Sequence, residues 1–249
     1  MKICVLSGRY PASDYLSAEN HRIYCSYHGY YYIHCNWPTP AKNPYLNKFY
    51  FLRHYIDLFD YIFWIDDDAF FLDLNKPLAE FIPSNGHVLS ICKSPSNKII
   101  KTFFSSGSFM IDCKQSKEFV NAVLDTDLAM VKNWWKPEYG FFTNGDQDIM
   151  VFLYLTKHEY QDRFEFFDYM AFNSRPTDVQ SGLAVFLVHF TGSSKTKKIA
   201  YKKIQSILNV DGSLISDNFK NDYKVIDTHT LYYILKNLYY RVKRTLHIK

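Results

Sequence analysis

Tyr61-Ile62-Phe63-Trp64-Ile65 is the most hydrophobic strand candidate in the chain, and it ends abruptly on Asp66-Asp67-Asp68. Ionised side chains are excluded from a strand buried on both faces, so three in succession mark its carboxyl end. Ligands of open α/β sheets bind at that end. Alternate residues of an extended chain point to the same side, so Asp66 and Asp68 converge while Asp67 points elsewhere. Two hard oxygen donors on one side suit Mg2+ or Mn2+, which then carries a diphosphate. Standing alone, so short a motif is more often a solvated acidic turn, and the buried strand before it makes the two readings equal.

Upstream, Ile3 to Leu6 is an apolar run closed by Ser7-Gly8, which predicts a buried first strand and a turn. Asp14 to His28 has helical character and stops at Gly29, Tyr30 to Cys35 is β-prone, and Pro44 to Phe59 places Tyr45, Phe49, Leu52 and Ile56 on one helical face. Strand, helix, strand, helix, strand predicts a parallel-type α/β sheet. Downstream, Val88 to Ile91, Gly107 to Ile111 and Ala184 to His189 read as strands, and Ser116 to Leu124 and Asp146 to Leu155 as helices. No linker or internal repeat divides the chain, so one compact α/β domain is expected, with a basic C-terminal appendage.

Composition narrows the classes. The 249 residues are 47% hydrophobic and 22% charged, which excludes disordered and fibrous chains. No apolar run approaches the ~20 residues of a membrane-spanning helix. The start, Met1 to Leu6, reads as a strand rather than a signal peptide or Golgi-type anchor, and this predicts a cytoplasmic protein. Cys4, Cys25, Cys35, Cys92 and Cys113 form no C-x-x-C pair, so buried free thiols are expected rather than a disulfide framework or zinc knuckle. Residues 1–192 hold 17 basic and 21 acidic side chains, whereas residues 193–249 hold 12 and 4. The basic end points to an anionic partner: phosphate, membrane surface or nucleic acid.

Read whole, Trp64-Ile65-Asp66-Asp67-Asp68-Ala69 resembles the Asp-x-Asp segment of retaining glycosyltransferases with the GT-A fold. The galactosyl/mannosyl/xylosyltransferase family of fungi and plants is the nearer likeness, and the bacterial lipooligosaccharide α-galactosyltransferases a second. Further segments follow in the family's order. Asn20-His21-Arg22-Ile23-Tyr24-Cys25 with His28-Gly29-Tyr30 is similar to its N-terminal segment, with Arg22 in place of the usual Lys. Lys48 stands where the family has a donor-side Lys. Ser106-Gly107-Ser108-Phe109-Met110-Ile111 is similar to its Gly-Ser-Phe strand, and Asn144-Gly145-Asp146-Gln147-Asp148 to its acidic-Gln-Asp helix start. His189-Phe190-Thr191-Gly192-Ser193-Ser194-Lys195 fits the His-x-x-Gly-x-x-Lys pattern of the bacterial relatives. The resemblance covers roughly residues 3 to 195 and implies a Rossmann-like nucleotide-sugar-binding domain with a mixed central sheet over residues 1–195. A basic helical segment over residues 196–249 follows.

The resemblance also implies the roles. Asp66, Asp68 and His189 hold Mn2+ (or Mg2+), and an imidazole beside two carboxylates favours Mn2+. Leu6, Ser7 and Gly8 meet uracil and ribose, with Arg9 either assisting or a plain surface residue. Lys48, Asp66, Asp67, Ser106 and Gly107 face the nucleotide sugar, Gly192 lets the backbone approach the phosphates, and Lys195 reaches the departing diphosphate. Lys195 is otherwise one more solvated lysine beside Lys197 and Lys198. Asp146 and Gln147 lie by the anomeric carbon, although Asp146 equally suits a helix N-cap. Front-face departure and double displacement both remain open, a Gln amide being a poor nucleophile. The implied partners are a UDP-sugar, first UDP-galactose, and an oligosaccharide or lipid-linked glycan of lipopolysaccharide, lipooligosaccharide or capsule.

Two features read two ways. Trp134-Trp135 with Tyr139, Phe141 and Phe142 is either an acceptor wall or core. From Leu231, apolar residues at 231, 234, 235, 238, 242 and 246 make one helical stripe beside Lys236, Arg241, Lys243 and Arg244. That suits peripheral docking on the anionic inner face of the cytoplasmic membrane, or packing on its own domain. Two other functions compete. A phosphatase of haloacid dehalogenase type also has an Asp-x-Asp after a hydrophobic strand, but after the first one. A nucleic-acid binder leaves the three aspartates and His189 unexplained, so no nucleic-acid partner is expected.

Overall fold

A computed structural model describes residues 1–11, 13–84, 86–95 and 102–222. The first apolar run forms β1 (Ile3–Gly8), followed by α1 (Ser17–His28), β2 (Tyr31–Cys35), α2 (Asn47–Tyr55) and β3 (Tyr61–Ile65). β2 and β3 flank β1 in parallel register, Val5 pairing with Tyr32 on one side and Phe63 on the other. The short β4 (Ala69–Phe71) leaves this sheet. Then come β5 (Leu89–Lys93), β6 (Phe104–Asp112), α3 (Cys113–Asp125), α4 (Leu128–Trp134), α5 (Asp146–Thr156) and β7 (Phe164–Phe167). The described chain closes with α6 (Tyr169–Phe172), α7 (Pro176–Gln180), β8 (Leu187–His189), α8 (Ser194–Leu208) and α9 (Asp217–Asp222).

The main sheet has the order β2-β1-β3-β6-β5-β7, and β4 and β8 form a separate antiparallel pair. β6 runs antiparallel to both neighbours, and β7 lies parallel to β5. The sheet is therefore mixed, as the resemblance implies, with the parallel part confined to β2-β1-β3 and the β5–β7 pair. β3 is apolar throughout because both its faces are covered. Ile62 and Trp64 join Phe49, Phe109, Phe119 and Val151 on the face under α2, α3 and α5. Phe63 and Ile65 join Ile23, Tyr24, Phe71 and Phe172 on the face under α1. Each such side chain contributes about 1.5–3 kcal/mol by leaving water.

Local chemistry moves several expected boundaries. The helix expected from Asp14 begins at Ser17. Pro44–Leu46 forms a tight 3-10 turn before α2, with the Asn43 side chain accepting from Tyr45 N, and α2 ends at Tyr55 rather than Phe59. The last strand is only Leu187–His189, yet the Phe186 carbonyl just before it accepts from Leu72 N at 2.7 Å. All five cysteines are free and buried, as expected. α8 buries Ile204 with Phe70 and Phe190, so the chain just beyond residue 195 packs on the main body. The stripe expected from Leu231 onward lies outside the described residues. Among the described residues, no helix is long and apolar enough to cross a membrane.

Candidate active site

The turn after β3 is set by backbone bonds. Asp66 N donates to the Gly107 carbonyl of β6 at 2.8 Å, and Ala69 N donates to the Asp66 carbonyl at 3.1 Å. β4 then pairs with β8 in a register that sets Ala69 opposite His189. The small sheet thus carries His189 to the two aspartates. His189 Nε2 lies 3.3 Å from Asp68 Oδ1 and 3.9 Å from Asp66 Oδ2. One donor atom from each of Asp66, Asp68 and His189 falls within 4.8 Å of the others. Gly107 makes this possible, because a Cβ there would stand 2.1 Å from His189 Cε1.

The tautomer of His189 follows from its buried neighbour. Asn173 Oδ1 accepts from Arg175 Nη1 at 2.9 Å, and a guanidinium can only donate, so that atom is the amide oxygen. His189 Nδ1 faces the same oxygen at 3.0 Å and therefore carries the hydrogen. In the neutral ring Nε2 is then a lone pair aimed at Asp68 Oδ1, which is buried and accepts no well-aligned hydrogen bond. A proton on Nε2 or a metal ion satisfies this pair. One imidazole and two carboxylates, with the imidazole fixed from behind by an amide oxygen, fit a divalent ion of the Mn2+ or Mg2+ kind.

Two lysines neutralise the carboxylates. Lys48 is buried at the start of α2, donates to the Ser106 carbonyl at 2.8 Å, and lies 3.2 Å from Asp66 Oδ1 and 3.1 Å from Asp146 Oδ2. Asp66 Oδ1 also accepts from Trp64 Nε1 at 2.7 Å. Lys197, in the first turn of α8, is bonded to Asp68 Oδ2. Burial raises the Asp68 carboxyl, but a protonated His189 ring together with the Lys197 ammonium outweighs it and holds the group below the usual carboxylate range. Burial and Asp68 push Asp67 up to about 6. Its Oδ2 lies 4.0 Å from Arg9 Nη1, away from His189, as strand alternation predicts. Burial, against the pull of Lys48, raises the Asp146 carboxyl as well.

α1 clamps the segment that follows the aspartates. Ser17 Oγ donates to the Asp67 carbonyl at 2.6 Å. Asn20 brackets Phe71, accepting from its N–H at 2.8 Å and donating to its carbonyl at 2.9 Å. His21 Nε2 meets the Ala69 carbonyl at 2.8 Å, and Tyr24 donates to the Lys76 carbonyl at 2.6 Å. The Asn20-to-Cys25 segment therefore serves the Asp-x-Asp turn through backbone bonds.

A cleft of about 1090 Å³ opens beside these groups. Of the residues expected at the nucleotide sugar, Gly8, Lys48, Asp66, Asp67, Gly192 and Lys195 line it. Leu6 and Ser7 do not, being fully buried within β1. Ser106 and Gly107 sit behind the aspartates, and Ser106 N donates to Gln147 Oε1 at 3.1 Å. Asp148 ties down the loop before α5, accepting from Thr143 N at 3.0 Å and Gly145 N at 3.1 Å. Of the aromatic cluster, Trp134 and Tyr139 stack at 4.5 Å, while Phe141 is 58% exposed. The sequence reading missed Asn173, Arg175 and the inward role of Lys197. No pattern flags the first two, while a helix starting at Ser194 would have turned Lys197 inward.

No protein-family model and no curated protein matches the chain. Solved structures do. The chain is similar to a glycosyltransferase involved in the glycosylation of the major capsid of PBCV-1, with a TM-score of 0.62 and 16% identity over 80% of this chain and 99% of that one. It is also similar to the glycosyltransferase GlyE of Streptococcus pneumoniae TIGR4, with a TM-score of 0.54 and 12% identity over 90% of this chain and 63% of that one. At such identities the likeness is one of fold. The architecture is the GT-A α/β fold with a mixed central sheet, carrying an Asp66–Asp68–His189 cluster suited to a divalent metal.

Proposed function

We propose that this chain is a metal-dependent glycosyltransferase moving a hexose from a UDP-sugar to a glycan acceptor with retention at the anomeric carbon. The observation that carries the reading is His189 Nε2 facing Asp68 beside Asp66, next to a large cleft on a GT-A fold. Asp66, Asp68 and His189 would hold Mn2+ (or Mg2+). The bound ion would supply positive charge to the leaving diphosphate. Lys195, in the cleft wall, adds a second positive charge, and Gly192, at φ 102°, lets the backbone come close to phosphate oxygens. Gly8 and Arg9 take the nucleoside end, Asp67 and Lys48 the donor side, and Ser106 and Gly107 shape the wall behind them.

Asp146 and Gln147 stabilise the positive charge that develops at the anomeric carbon. Asp146 is buried and paired with Lys48, Gln147 is held by Ser106 N, and neither is among the residues lining the cleft; front-face departure is the path we assign, since a Gln amide is a poor nucleophile. UDP-galactose is the donor we assign, and a lipopolysaccharide, lipooligosaccharide or capsule glycan, oligosaccharide or lipid-linked, the acceptor, both from the family resemblance. The reaction then belongs on the cytoplasmic face of the membrane, with the basic stripe from Leu231 onward as the docking segment. A panel of UDP-sugars with Mn2+, scored for UDP release, tests the reading. Release from one sugar, lost in Asp68→Ala and in EDTA, supports it. Absence of both release and metal-dependent UDP binding overturns it.

A further inference from the structure

Asp68 is divided between two partners. Its Oδ1 faces His189 Nε2 at 3.3 Å, and its Oδ2 is bonded to the Lys197 ammonium. Lys197 differs from Lys48, the buried cation of the site. Lys48 is enclosed by the Ser106 carbonyl, Asp66 and Asp146. The Lys197 side chain is 24% exposed, lines the cleft, and among the described residues forms its one ion pair with Asp68. It can therefore change partners by rotating a side chain.

We propose that Lys197 makes divalent-cation binding and diphosphate binding depend on each other. This rests on the nucleotide-diphosphate reading above and deepens it. With no anion in the cleft, the ammonium neutralises Asp68, and a cation entering beside His189 meets a like charge on a shared carboxylate. A diphosphate in the cleft offers the ammonium several anionic oxygens, and Lys197 leaves Asp68 for them. The carboxylate is then free for the cation. By linkage, whatever factor the diphosphate adds to cation affinity the cation adds to diphosphate affinity.

The test is a titration of the full chain with Mn2+ alone, read by the electron paramagnetic resonance of free Mn2+. It is repeated with saturating inorganic pyrophosphate and then with UDP, corrected for ion complexed in solution. Lys197→Met is expected to bind Mn2+ alone about tenfold more tightly than wild type, equivalent to about 1.4 kcal/mol. Pyrophosphate then tightens Mn2+ binding about tenfold less in this variant than in wild type. Lys197→Gln gives the same direction, Lys197→Arg stays near wild type, and Lys203→Met, which removes an outward charge from the same helix, changes neither quantity. Unchanged or weaker Mn2+ binding by Lys197→Met, an equal gain in Lys203→Met, or no Mn2+ binding by any form overturns the proposal. Coupling to pyrophosphate without coupling to UDP leaves the role of Lys197 standing and sinks the nucleotide-sugar reading instead.

Discussion

A methyl group added at Gly107 strikes the site at its tightest point. The new Cβ would lie 2.1 Å from His189 Cε1 and 2.7 Å from Nδ1, against ~3.5–4.0 Å for an ordinary carbon contact. The ring would have to retreat by about 1.5 Å. It has nowhere to go, because His189 is buried and its Nδ1 is held by Asn173 at 3.0 Å. Overpacking of this kind costs about 1–3 kcal/mol, and the broken hydrogen bond adds about 1 kcal/mol. For a chain of this size that lowers Tm by about 4–16 °C. Nε2 is displaced with the ring, so affinity for Mn2+ falls by at least about tenfold. Gly107→Ala is thus expected to lose metal binding and stability together, by calorimetric melting and Mn2+ titration. A variant with wild-type Tm and wild-type Mn2+ affinity would refute the placement of His189 against β6.

Other perturbations separate the remaining parts. Asn173→Leu removes the acceptor that fixes the His189 tautomer and should weaken Mn2+ binding about 10–100-fold, whereas Asn173→Asp keeps an acceptor and loses less. Equal affinities in the same titration would mean that the amide does not orient the ring. Asn20→Ala leaves the buried N–H and carbonyl of Phe71 and the Ser213 carbonyl without their partner, and should destabilise the fold by about 3 kcal/mol in urea unfolding. His21 is fully buried, and burial lowers its pKa from 6.5 to about 3. Its unfolded form binds the proton first, so its contribution to stability is complete above pH 6.5 and is lost as pH falls toward 3. The expected slope is about 1.4 kcal/mol per pH unit in that window. The difference between the urea profiles of wild type and His21→Gln isolates this effect, and a flat difference would show that His21 titrates normally.

The acidic triad was legible because charge following a wholly apolar strand has one physical meaning, the end of a buried strand. The order of the later segments added His189, though not the means that brings it to the aspartates. That means is the pairing of β4 with β8, two strands of three residues each, too short to leave a periodic signal. The reversed direction of β6 was hidden likewise, since an apolar strand reads the same both ways. Lys195, Lys197 and Lys198 are alike in composition, and only the starting residue of α8 decides which turns inward. Asn173 was invisible because one amide carries no pattern, and its meaning lies in contacts with Arg175 and His189.

The pairing of β4 with β8 also has a bearing on how the protein is made. Asp66 and Asp68 leave the ribosome early, whereas His189 and the α8 turn bearing Lys197 follow only after all six strands of the main sheet have been synthesised. Until then the nascent chain holds the two carboxylates without their imidazole. Cation capture is thereby deferred to the last stage of assembly, and a chain released short of residue 189 has the sheet but no complete donor set.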